Sequence, residues 1–138
     1  MHELMHKLAA QAMGYRAEYR AGDFPYLSIL FAFAGWILLS PGAVRVTGIA
    51  KPLSGRANGI ISLAGPATNL VLALAFYPLS GFGGILGEVG RFGCSINAYL
   101  AVFNMVPAPG FDGYGIWAWN KAFYLAFAAL AVLIASAL

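Results

Sequence analysis

The sequence predicts an all-α membrane protein, a polytopic helical bundle of about four spans with a short amino-terminal helix. Three observations predict it. Of the 138 residues, 61% are hydrophobic and only 9% are charged, whereas a soluble globular domain is about a quarter charged. The mean hydropathy is +0.76, an apolar surplus that must face lipid. The apolar residues also fall in four runs separated by segments bearing Pro, Gly and charge. Length indicates one domain covering 1–138. A net charge of +3 without a basic run or basic helix argues against nucleic acid as a partner. Cys94 is the one cysteine, so an internal disulfide is excluded and a small buried thiol is expected.

Residues 2–13 read as a helix rich in Ala, with Gly14 as its stop and too short to span alone. Tyr15 to Tyr19 alternates aromatic and charged residues ahead of Gly22 and Pro25, which predicts a small β element within 15–24. Tyr26 to Ser40 is the first apolar run, ended by Pro41-Gly42 and near the lower length limit of a spanning helix. Val44 to Asn58 holds three cations, Pro52 and two glycines and reads as an aqueous loop. Ile60 to Leu79 is long enough to span, with a break or kink expected at Gly65-Pro66. Gly81 to Gly93 reads as a glycine-rich turn, Cys94 to Val106 as a third span, and Pro107 to Gly115 as a loop. Ile116 to Leu138 makes the last span, with Trp117 and Trp119 near an interface. Cationic loops fall on both sides of any alternating topology, so the chain's orientation is open. The first residues carry Glu3 and two histidines rather than a signal sequence, so insertion is expected to depend on the spans.

Chemistry is concentrated at the start, in His2-Glu3-Leu4-Met5-His6. Residues four apart on a helix share a face, so His2 and His6 can aim their imidazoles at one ion. Glu3 can then face a water at that ion and take its proton as the water attacks a carbonyl. These residue types in this order suit zinc-dependent peptide hydrolysis. The bland alternative is a helix that happens to carry two histidines and a glutamate beside Lys7. It would require both histidines of the chain to fall at ligand spacing by coincidence.

A zinc site of this kind needs a third protein ligand. The pattern with a third histidine is absent, because Ala9 and Ala12 stand where Gly and His would be. Glu18 and Asp23 lie among Arg16 and Arg20, and Glu88 lies three residues from Arg91, so solvated pairing accounts for each; Cys94 is isolated. Asp112 has no near basic neighbour and lies between apolar segments, which makes it the candidate ligand. Its alternative role is to cap a helix starting near Tyr114.

Two further motifs follow in order: Ala64-Gly65-Pro66-Ala67-Thr68-Asn69, an Ala-Gly-Pro-x-x-Asn pattern, and Asn104-Met105-Val106-Pro107 through Asp112-Gly113, an Asn-x-x-Pro-x-x-x-x-Asp-Gly pattern. With the histidine motif they resemble the site-2 protease family of intramembrane zinc metalloproteases, in its small archaeal and bacterial form, over nearly the whole chain. The resemblance implies one zinc ion held by His2, His6 and Asp112, and Glu3 as the catalytic glutamate. It implies that Asn104 helps hold substrate or the oxyanion, and gives Asn69 a structural or substrate-facing role; interhelical hydrogen bonding is the alternative for both. It further implies an integral protein of a prokaryotic cell membrane, in contact with lipid, whose substrate is a transmembrane protein. Two departures stand out. Met1 directly precedes the motif, where the family carries a spanning helix, so either a shortened form or a piece of a longer protease is expected, or an end that the metal and the bundle order. Phe111 stands where leucine is common. The rival reading is an inactive or truncated homologue that binds membrane helices through Gly, Ala and Asn faces. A soluble zinc protease is opposed by the apolar runs.

Overall fold

A computed structural model describes residues 1–21, 42–47 and 53–138. The expected span Tyr26 to Ser40, Asp23, and the turn at Gly22 and Pro25 lie outside the described residues.

Helix α1 spans His2–Ala12. It ends as the sequence predicts: Gly14 takes φ 80, its N–H meets Gln11 O, and Tyr15 N–H meets Ala10 O at 2.9 Å. This double closure requires the left-handed backbone that glycine adopts freely. Tyr15 and Ala10 then pack together with Ala17, Ala57 and Ile61. Strand β1 (Arg16–Ala21) pairs antiparallel with β2 (Gly42–Thr47), in register from Arg16 opposite Thr47 to Ala21 opposite Gly42. The small β element is therefore present. The expected aqueous loop from Val44 is corrected at its start, because Val44, Val46 and Thr47 are β-branched and suit a pleated pairing.

Helix α2 spans Gly55–Ser80, 26 residues, so it takes over the end of that loop from Gly55 to Asn58, while residues 48–52 lie outside the described residues. Ser54 caps it by accepting from Ala57 N–H at 3.1 Å. The expected break at Gly65-Pro66 does not occur, since the helix continues through both Pro66 and Pro78. Pro66 is among the most completely buried side chains, and packing by neighbours offsets a local cost of about 3 kcal/mol. At ~1.5 Å per residue the helix exceeds the roughly 30 Å of a hydrocarbon core.

Helix α3 spans Gly84–Phe103 and absorbs most of the segment expected as a turn. Gly87, Gly90 and Gly93 recur every three residues; Gly90 and Gly93 pack on α2, and Gly87 on the Phe82 carbonyl just beyond its end. A Cβ at Gly90 would strike Ser80 backbone, and one at Gly93 would lie 2.6 Å from the Phe76 ring. The glycines there serve close helix packing, and the turn itself is confined to the residues before Gly84. The expected last span is two helices, α4 (Asp112–Trp119) and α5 (Lys121–Ala137). Asn120 separates them with extended backbone and accepts from Phe123 N–H at 3.0 Å, capping α5.

Three small cores hold these elements together. One lies beneath α1, β1 and the start of α2. Another joins Leu70, Ala101 and Ala131 across α2, α3 and α5. The last gathers Met105, Ile116 and Tyr124, with the Tyr124 hydroxyl donating to Met105 O at 2.6 Å. Cys94 is buried as expected. Among the described residues one helix, α2, is long and apolar enough to cross a membrane. The four-span expectation is thus not met by the described helices: α3 carries Glu88 and Arg91, which pair with each other at the surface, and α5 has 17 residues.

Candidate metal centre

Helix α1 lays one face against the first half of α2. The face carries His2, His6 and Ala10, four residues apart as the helical period requires. His6 is 7% exposed, and its Nδ1 donates to the Ile61 carbonyl at 2.7 Å. The ring hydrogen of a neutral His6 is thereby committed to Nδ1, which leaves a lone pair on Nε2. Its edge-to-face contact with the His2 ring, centroids 4.7 Å apart, turns the two Nε2 atoms toward each other at 3.0 Å. His2 Nδ1 faces the amide nitrogen of Asn69 at 3.1 Å, and Asn69 is 2% exposed.

The third member arrives on α4. Gly113 N–H donates to Asn104 O at 2.7 Å, and a Cβ at Gly113 would collide with the Met105 carbonyl. The chain after α3 is thus clamped so that α4 starts beside α1 and α2. Asp112 opens α4 without capping it, which corrects the cap alternative. Its Oδ2 lies 2.9 Å from His2 Nε2 and 3.3 Å from His6 Nε2.

The donor set fits a divalent cation on three counts. Tetrahedral zinc with ligands at about 2.0–2.1 Å holds them roughly 3.3 Å apart, and these three atoms stand 2.9, 3.0 and 3.3 Å from one another. Asp112 Oδ2 is buried and receives no well-formed hydrogen bond, a costly state for a carboxylate oxygen unless a cation compensates it. Finally, a Cβ on Gly65 would lie against the Nε2 atoms of both histidines. The missing side chain at 65 leaves room for an ion at the open side of the pair.

The electrostatics agree. Burial disfavours a charge on His6, but the close approach and charge of Asp112, the Ile61 carbonyl and the charge of Glu3 outweigh it and hold the imidazole above its ordinary 6.5. Burial likewise disfavours ionised Asp112, while the approach of His2 and His6 holds its carboxyl below the ordinary 3.8. The cluster attracts positive charge although its groups are largely buried.

Of the residues singled out in the sequence, His2, His6 and Asp112 converge, and Asn69 joins them through His2. Glu3 is half-buried in the same turn. The Asn104 side-chain amide donates to Leu100 O at 2.9 Å, and its main-chain carbonyl accepts from Gly113 N–H. Gly65 and the Ile61 carbonyl were not foreseen as site features. The Gly-Pro motif signalled Gly65, but as a helix breaker; a backbone carbonyl has no sequence signal.

Comparison with known proteins returns three relatives, each bearing the name "putative zinc metalloprotease". The chain is 39% identical over 127 residues to MJ0611 of Methanocaldococcus jannaschii, covering 86% of this chain and 64% of that protein. It is 29% identical over 137 residues to YwhC of Bacillus subtilis, covering 84% and 62%. It is 36% identical over 94 residues to Rip2 of Mycolicibacterium smegmatis, covering 64% and 36%. The chain therefore spans less than two thirds of the length of each relative. No family model matches the chain, and no solved structure matches it with significance.

Proposed function

We propose that this chain is the catalytic core of a zinc endopeptidase of the site-2 protease type, cutting peptide bonds in or near transmembrane segments of other proteins. The observation that carries the reading is the convergence of His2 Nε2, His6 Nε2 and Asp112 Oδ2 around the space left by Gly65. Relatives named as zinc metalloproteases support the metal and the reaction class. A membrane setting is supported by the length and apolarity of α2 and by large apolar side chains exposed on three helices, among them Val71, Phe92 and Leu133.

Zinc, when bound, supplies Lewis acidity that polarises the scissile carbonyl and acidifies water to a pKa of about 7. The residues supply the rest. His2, His6 and Asp112 would hold the ion through the two Nε2 atoms and Oδ2. Glu3 accepts the proton of the attacking water and returns it to the leaving amine. A spanning helix hides its carbonyls in hydrogen bonds, so the substrate must unwind locally, and Pro or Gly in it favours cleavage. Among the described residues each strand of the β1–β2 pair is bonded on one side only, which makes an edge available for an extended substrate segment.

The rival reading, a non-catalytic bundle that binds partner helices, needs a free small-residue face. In the stripe Gly87, Gly90 and Gly93, the latter two already pack against α2 and Gly87 against the Phe82 carbonyl in the turn before α3. The decisive experiment compares wild type with Glu3→Gln on a model transmembrane substrate. The variant is expected to keep its zinc and lose cleavage by at least about 10²-fold. A zinc-loaded Glu3→Gln protein that cleaves at the wild-type rate contradicts the mechanism.

A further inference from the structure

The two histidines are oriented by different kinds of group. His6 Nδ1 meets a main-chain carbonyl, Ile61 O, at 2.7 Å. A carbonyl only accepts, so it fixes one tautomer, and no substitution at 61 removes it. His2 Nδ1 meets a side chain, Asn69, 67 residues away in sequence, at 3.1 Å. Asn69 is almost completely buried on α2, and its contact with His2 is the one hydrogen bond its side chain makes among the described residues.

We infer that Asn69 is a positioning residue for His2, holding the imidazole by its Nδ1 so that Nε2 points at the metal. The inference rests on the zinc reading above and extends it to the residue that holds the ring of one ligand in place. An amide suits this place because it offers both a donor and an acceptor. With the amide nitrogen toward the ring, Asn69 donates to Nδ1 and the ring hydrogen lies on Nε2, 2.9 Å from Asp112 Oδ2. A His2 that ligates through Nε2 has its hydrogen on Nδ1, and a half-turn about the Asn69 Cβ–Cγ bond brings the amide oxygen round to receive it. The ring stays in place in both cases. The partner of a metal-bound histidine is commonly a carboxylate, carbonyl or water; here an amide on the neighbouring helix takes that position.

The substitutions separate the acceptor from the volume. Asn69→Leu keeps the size and removes the acceptor; Asn69→Asp keeps the acceptor and removes the donor. Zinc affinity of the detergent-solubilised full chain, measured by competition with a chromophoric chelator, is expected to fall about 10- to 100-fold for Asn69→Leu and to stay at or above the wild-type value for Asn69→Asp. The zinc-free melting temperatures report folding separately, and Asn69→Ser, too short to reach the ring, replaces the leucine variant if that one does not fold. A leucine or serine variant that binds zinc like wild type overturns the inference, as does an aspartate variant as weak as leucine. A wild type that retains no zinc, or a His6→Ala variant that binds as well as wild type, overturns the zinc reading and this inference with it.

Discussion

The two halves of α2 pack by opposite rules. The first half, from Ile61 to Asn69, meets the histidine pair of α1 through a carbonyl and an amide, each facing one Nδ1, and a missing side chain that faces both Nε2 atoms. The second half, from Leu70 to Ser80, meets α3 and α5 through Leu70, Ala101, Ala131 and a glycine stripe. Outward from it stand Val71, Leu74 and Tyr77, all substantially exposed. At one end position is set by a few polar atoms; at the other, by volume. In a chain this apolar the difference separates chemistry from scaffold, because a buried polar atom needs a stated partner and a buried methyl does not.

Paired glycine substitutions break the comparison most sharply. Gly65→Ala puts a Cβ against both ligating nitrogens and is expected to abolish stoichiometric zinc binding while helical content persists. Gly90→Ala puts a Cβ into the Ser80 backbone at the other end. It is expected to lower stability by about 1–3 kcal/mol and to leave zinc content per folded chain unchanged. Metal analysis and thermal melting of both variants check this; zinc loss in Gly90→Ala or zinc retention in Gly65→Ala would erase the distinction.

A smaller effect sharpens the site end alone. Metal ligands must be deprotonated to bind, and His6 is held above its ordinary 6.5 by Asp112. Protons therefore compete for it already above that value, and zinc affinity falls as pH falls. Asp112, held below its ordinary 3.8, adds to the loss only in stronger acid. Titrations of zinc affinity between about pH 8 and pH 6 should show the decline; a flat profile contradicts the assigned electrostatics.

The site was more legible in the sequence than the fold. His2 and His6 could be paired because the helical period is fixed, and Asp112 stood out because Glu18, Asp23 and Glu88 each had a nearby arginine and Glu3 was placed facing the water. What misled was glycine and proline. Gly87, Gly90 and Gly93 looked like a turn, yet Gly90 and Gly93 let α3 approach α2; a break or kink was expected at Pro66, and the helix is not broken there. Both are cases where a residue's local preference yields to neighbours that are distant in sequence. Asn120 shows the converse, since one polar residue inside a long apolar run splits it into α4 and α5 by capping. Asn69 carried no sign of its partner, because nothing local couples position 69 to position 2.

The central claim is that His2, His6 and Asp112 together hold a catalytic zinc. Zinc content per purified chain, compared between wild type and Asp112→Ala, tests it most directly. The account predicts about one zinc for wild type and a small residual fraction for the variant, because two histidines alone leave the tetrahedral site half-filled. Equal zinc in both proteins, or none in wild type prepared with zinc present, would contradict it.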